Sequence, residues 1–173
     1  MARTLCASNK LLSLRGRILI TDTSENVAYE GKGEFSFFPT WRLYESGKDI
    51  ATIKRKIFAW SPTWKIESTI GPFTIKRKIW AMVRRYSIVG GKYHKAELRG
   101  NFFDHKFTIS KDQNRNAHAT KKLLTLRDRH SIEIKENTKE AEIFVAITMI
   151  VMLLGNREYR NNSHQTHGSH INN

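Results

Sequence analysis

The chain has 173 residues, 39% of them hydrophobic, and carries 30 Lys and Arg against 16 Asp and Glu for a net charge of +14. That length suits one domain with a sizeable core, and that charge predicts polyanionic partners: anionic lipid headgroups, phosphorylated ligands or nucleic acid. Cys6 is the only cysteine, which excludes an intrachain disulfide and a cysteine-based zinc site and suits a reducing, cytoplasmic setting.

The opening MARTLCASNKLLSLRGR is basic and free of acids. Leu5, Leu11, Leu12 and Leu14 are too scattered to form the apolar core of a signal peptide, so the segment is read as part of the domain. From Arg17 to Lys135 the pattern is β throughout, with short alternating or β-branched runs between turn residues. Strands are predicted at 18–22, 27–31, 35–38, 41–45, 50–58 and 64–68, then at 73–81, 86–91, 95–102, 106–111, 117–126 and 131–135. About a dozen short strands without βαβ alternation predict a mainly β sandwich or barrel.

One segment breaks the pattern. Ile143 to Leu154 reads IFVAITMIVMLL, with Thr148 its only polar side chain. Asn137 with Glu140 three residues on reads as an N-cap and capping-box partner, and Glu140 and Glu142 suit the first turn of a helix. Gly155 reads as the C′ stop, which gives a helix over 138–155. The apolar run is about 18 Å long, short of the ~30 Å bilayer core, so no transmembrane span is expected. A helix apolar all round must instead be wrapped by the rest of the chain. Residues 156–173 are rich in Asn, His and Ser and read as a disordered tail behind a single domain over 1–155.

TIKRKI occurs at 52–57 and again at 74–79, each copy followed by an aromatic residue and Ala. The repeat predicts one hairpin unit used twice, with a weaker third copy at 119–134. Period-2 alternation puts Thr52, Lys54 and Lys56 on one face, as it does Thr74, Lys76 and Lys78. With the strand at 64–68 between them, the four lysines are expected to form one outer patch. Arg55 and Arg77 fall on the inward face with Ile53, Ile57, Ile75 and Ile79, where the simplest expectation is a guanidinium reaching out at a barrel mouth.

Several ordered segments resemble the LURP-one-related family of the tubby C-terminal-like superfamily, in its short bacterial form. They are LLSLRGRILITDTSENVAYEGKG (11–33), WRLYESGKDIATIKRKIFAWSPTWKI (41–66), FTIKRKI (73–79), ELRGNFFDHKFTIS (97–110) and EAEIFVAITMIVMLL (140–154). The resemblance implies a closed antiparallel barrel of about twelve strands around a central hydrophobic helix. Relatives by fold include the phosphoinositide-binding tubby proteins and the phospholipid scramblases. The resemblance supplies no catalytic residue.

Catalytic signatures are absent from the sequence: no G-x-S-x-G, P-loop, G-x-G-x-x-G or H-E-x-x-H occurs. Asp104-His105 reads as a turn pair, and Arg127-Asp128-Arg129-His130 as a solvated hairpin end. His164, His167 and His170 lie in the polar tail, and neither a metal nor a cofactor is expected. Trp64 and Tyr86, equivalent in the repeat, are read as core aromatics, whereas Trp60 is read as open.

The expected function is therefore a non-enzymatic module that takes an anionic ligand, foremost a phospholipid headgroup, on a basic outer face. The expected contact residues are Lys54, Lys56, Lys76, Lys78, Arg84 and Arg85, with Trp60 at the interface. Nucleic-acid binding through the same charges is the alternative, and a structural scaffold is the third reading.

Overall fold

The computed structural model describes residues 3–10, 16–80, 85–101, 106–111, 114–121 and 129–165. Twelve strands precede one helix. They are β1 (Arg3–Lys10), β2 (Arg17–Thr21), β3 (Val27–Glu34), β4 (Thr40–Glu45), β5 (Lys48–Lys56) and β6 (Thr63–Ser68). Then come β7 (Phe73–Lys78), β8 (Arg85–Val89), β9 (Glu97–Asn101), β10 (Lys106–Lys111), β11 (Asn114–Lys121), β12 (Arg129–Ile134) and α1 (Lys139–Gln165). Each strand pairs antiparallel with its sequence neighbours, and β1 pairs with both β2 and β12, so the sheet closes into a barrel.

Alternation sorts the side chains. Leu5, Ile18, Ile20, Leu43, Ile53, Trp64, Ile66, Ile75, Tyr86, Ile88, Ile132 and Ile134 face inward and are buried. They surround α1, whose residues from Ala141 to Leu153 are all buried. The helix expected to need wrapping is the axis of the barrel. Thr148 satisfies its hydroxyl within the helix by donating to the Val145 carbonyl at 2.8 Å.

Both ends of the helix differ from the expectation. Thr138, not Asn137, is the cap: its Oγ1 accepts from the Ala141 amide at 3.2 Å and its carbonyl from the Glu142 amide at 3.2 Å. At the other end the helix runs through Gly155 to Gln165. Gly155 is no stop. It is buried, and a Cβ there would lie 3.0 Å from Tyr86 Oη and 3.4 Å from the Trp64 ring. The glycine is needed for close approach of the helix to the wall. Residues 156–165, assigned to the tail from sequence, continue the helix, and 166–173 lie outside the described residues.

Two further expectations are corrected. FSFF at 35–38 is not a strand but most of the connector from β3 to β4, with all three phenylalanines exposed. β1, not anticipated from its polar RTLCASNK sequence, supplies the closing strand.

Strand direction fixes the rims. The connectors β3–β4, β5–β6 and β7–β8 lie at one end of the barrel, and β2–β3, β4–β5, β6–β7 and β8–β9 at the other. The helix enters at the second rim. There Tyr29 Oη donates to the buried Glu142 carboxylate at 2.9 Å, and Lys139 bonds Glu45 and reaches Glu142 at 3.5 Å. Tyr93, from the β8–β9 connector, stacks on Phe144 at 4.1 Å and covers this end of the core.

Candidate functional site

The repeat hairpins build the outer wall. In the pairing of β5, β6 and β7, Lys56 faces Thr63 and Thr63 faces Lys76, so the two lysines straddle β6 about 9–10 Å apart. One rung further from the first rim, Lys54 lies opposite Lys65. Lys78 lies opposite Arg85, and Arg85 opposite Arg99. The structure thus brings Lys54, Lys56, Lys76, Lys78 and Arg85 together on neighbouring strands. Arg84 lies outside the described residues. Lys65 and Arg99 join the patch without having been singled out from sequence, because only strand register places them there.

Partners divide the patch. Lys78 is bound to Glu97 at 2.7 Å and Arg99 to the same carboxylate at 2.8 Å. The hydrogen bond from Lys78, then that from Arg99, holds Glu97 below the usual carboxylate range. Lys65 lies 3.5 Å from Glu67. Among the described residues, Lys54, Lys56 and Lys76 have no ion-pair partner. These three are the cations of the repeat available to an external anion.

Arg55 is inward-phased and sits at the barrel mouth. Its guanidinium lies over the Trp64 ring at 4.9 Å and donates to the carbonyls of Lys56 and Thr63. The buried Trp64 is thereby capped by a cation that still reaches water. Trp64 and Tyr86 are both buried, as their repeat-equivalent positions suggested, with ring centroids 6.1 Å apart.

Past the strand ends the inward face has nothing to cover. β5 ends at Lys56 and β7 at Lys78, before the predicted ends at 58 and 81. Ile57, Phe58, Ile79 and Trp80 therefore project from the connectors instead of lying in the wall. Trp60 is fully exposed, as is Trp80, and Phe35, Phe37 and Phe38 stand on the β3–β4 connector beside them. Of the exposed large apolar side chains among the described residues, all but Val27 and Val89 lie on these three connectors. Proline closes two of them. The Pro39 carbonyl accepts from the Arg55 amide at 3.0 Å and the Pro62 carbonyl from the Arg77 amide at 2.8 Å, which ends each ladder with a residue that has no N–H to satisfy.

A hollow of about 630 Å³ opens on the outer wall near the same rim, lined by Arg17, Glu30, Lys32, Glu34, Phe35 and Tyr44, with Gly16 and Gly33. Its carboxylates are engaged: Glu30 by Arg17 and Lys32, Glu34 by Arg42. Lys32 also lies over the Tyr44 ring at 4.9 Å.

A family model described as LURP-one-related matches residues 3–152, from β1 to near the end of the buried part of α1. The chain belongs to the LURP-one-related family. No curated protein and no solved structure matches it. This LURP-one-related barrel thus has its wall and its axial helix as far as Met152 inside the family match, and with them the repeat lysines and the three apolar connectors. No helix among its described residues is long and apolar enough to cross a membrane.

Proposed function

We propose that this LURP-one-related chain is a non-enzymatic module that binds anionic phospholipid surfaces peripherally, with the lysines of β5 and β7 meeting headgroup phosphates. The observation that carries the reading is the placement of Lys54, Lys56 and Lys76. They are exposed, lie on strands flanking β6, and have no ion-pair partner among the described residues. Near an anionic leaflet each such lysine contributes about 1 kcal/mol, so three supply roughly a hundredfold in affinity. A non-enzymatic role is favoured by the filled lumen, since the helix occupies the space where a barrel would hold a substrate. The outer hollow offers ion pairs rather than a nucleophile beside a base.

Vesicle flotation tests the proposal. The protein is expected to float with phosphatidylcholine vesicles that contain phosphatidylserine and to stay behind with phosphatidylcholine alone. Reversal of Lys54, Lys56, Lys76 and Lys78 to Glu is expected to weaken flotation by about a hundredfold in affinity or more. Equal absence of binding to both vesicles contradicts it. So does tight binding to an oligonucleotide that anionic vesicles fail to displace, which assigns the basic wall to nucleic acid.

A further inference from the structure

Charge alone makes a weak anchor, since polybasic contact and a single inserted group are each reversible and stable attachment takes both. The barrel carries the second element next to the first. Along β5 and β7 the lysines stand on the strand ends that lead into the β5–β6 and β7–β8 connectors. Immediately beyond them Phe58, Trp60 and Trp80 are almost wholly exposed, and Phe37 is equally so on the β3–β4 connector. An exposed apolar cluster of this kind on a soluble surface marks a contact site. Indole and phenyl rings with a collar of lysines match the layering of a bilayer surface, where aromatics settle at headgroup depth and cations meet phosphates just outside.

Charge complementarity commits the occupant. The first rim presents Lys54, Lys56, Lys65 and Lys76 behind its aromatics, whereas the opposite rim carries Asp22, Glu25, Glu45, Asp49, Glu136 and Glu140 among its lysines. An anionic bilayer would therefore attract one end of the barrel over the other. A second copy of the chain meeting rim to rim would set lysine against lysine.

We infer that the barrel docks on anionic membranes by this one rim, with the β3–β4, β5–β6 and β7–β8 connectors inserting Phe37, Phe58, Trp60 and Trp80 to the headgroup–acyl boundary while Lys54, Lys56 and Lys76 hold phosphates behind them. The inference rests on the phospholipid reading above and adds penetration and orientation to it. α1 passes Gly155 at the level of this rim and continues to Gln165, so contact is made by the β3–β8 arc, with the barrel axis tilted.

The chain carries its own probes. Trp60 and Trp80 are exposed, while Trp41 and Trp64 are buried. With vesicles of phosphatidylcholine and phosphatidylserine, tryptophan emission is expected to shift to the blue and to be quenched when the acyl chains are brominated near the headgroup. Trp60→Phe with Trp80→Phe is expected to remove that response. Phe37→Ser with Phe58→Ser, which leaves both reporters in place, is expected to weaken binding about a hundredfold, since each lost ring contact is worth about a factor of ten. Binding without blue shift or quenching overturns insertion and leaves the headgroup reading standing. No binding to either vesicle overturns both. A blue shift without vesicles, accompanied by a doubling of mass, assigns the rim to self-association instead. A shift on single-stranded oligonucleotide alone assigns it to base stacking.

Discussion

Two glycines set how closely the helix can approach the wall. A Cβ on Gly31 would meet Ile150 Cδ1 at 2.8 Å, and one on Gly155 would meet Tyr86 Oη at 3.0 Å. The first obstacle is the flexible tip of a side chain, whereas the second sits between two buried aromatics on different strands. Gly155→Val is therefore expected to destabilise the barrel by about 1–3 kcal/mol, read as a lower denaturation midpoint, the cost of overpacking a core that cannot yield. Gly31→Ala is expected to cost less. The Tyr29–Glu142–Lys139 cluster makes a second residue-scale prediction. Burial first, and the hydrogen bond to Glu142 with it, pushes the Tyr29 hydroxyl up to about 12, although the Lys139 hydrogen bond opposes this. A phenol that ionises at about 10 when unfolded and later when folded stabilises the fold fully below pH 10 and loses that contribution as pH rises toward 12. Lys139 shifts upward too: burial opposes the shift, but its bonds to Glu45 and Tyr29 prevail, so its contribution also disappears on the alkaline side. Unfolding free energy is expected to fall by about 2 kcal/mol between pH 10 and pH 12. Tyr29→Phe is expected to flatten much of that slope while lowering stability at neutral pH by about 1–3 kcal/mol, because a buried acceptor loses its donor.

At the scale of elements, the barrel was legible where two signals coincide. The TIKRKI repeat showed both hairpins and, through alternation, the outward lysines, since Ile53 and Ile75 each have a buried counterpart on β6, Ile66 and Trp64. The axial helix was legible because nothing else in the chain is apolar on every side. Its end was not. Gly near the last apolar residue signals a cap only when no wall stands close by, and the wall here is made by Trp64 and Tyr86, far away in sequence. FSFF failed for a related reason: aromatics alternating with Ser imitate a half-buried strand, yet Pro39 and the barrel end leave them no interior to face. β1 was missed because its sequence is largely polar, although Leu5 is fully buried. The sequence also singled out the lysines without the phenylalanines beside them, since only strand order brings the three connectors to one rim. β1 is the sole bridge between β2 and β12. Deleting residues 1–10 is therefore expected to leave two unpaired edges and to give aggregated protein in size-exclusion chromatography, where Lys10→Gln leaves it soluble.

For the whole molecule, the distribution of charge matters more than its sum. The lysines of β5 and β7 stand behind one rim, and the carboxylates around the β2–β3 and β4–β5 turns stand at the other. Screening acts on the lysines and leaves the apolar connectors untouched. Vesicle affinity is therefore expected to fall as salt shortens the Debye length from ~30 Å at 0.01 M to ~8 Å at 0.15 M, then to level off at a residue owed to insertion. The four-lysine reversal is expected to lose the salt-dependent part, and Phe37→Ser with Phe58→Ser the plateau. Docking by one rim fixes which end of the barrel meets the membrane. Hydrogen–deuterium exchange of the full chain on phosphatidylserine-containing vesicles reads this directly. Added protection is expected at residues 35–39, 57–62 and the adjoining ends of β5 and β7, and none at 22–26, 46–47 or 69–72. Protection at the second set, or at neither, would contradict docking by this rim.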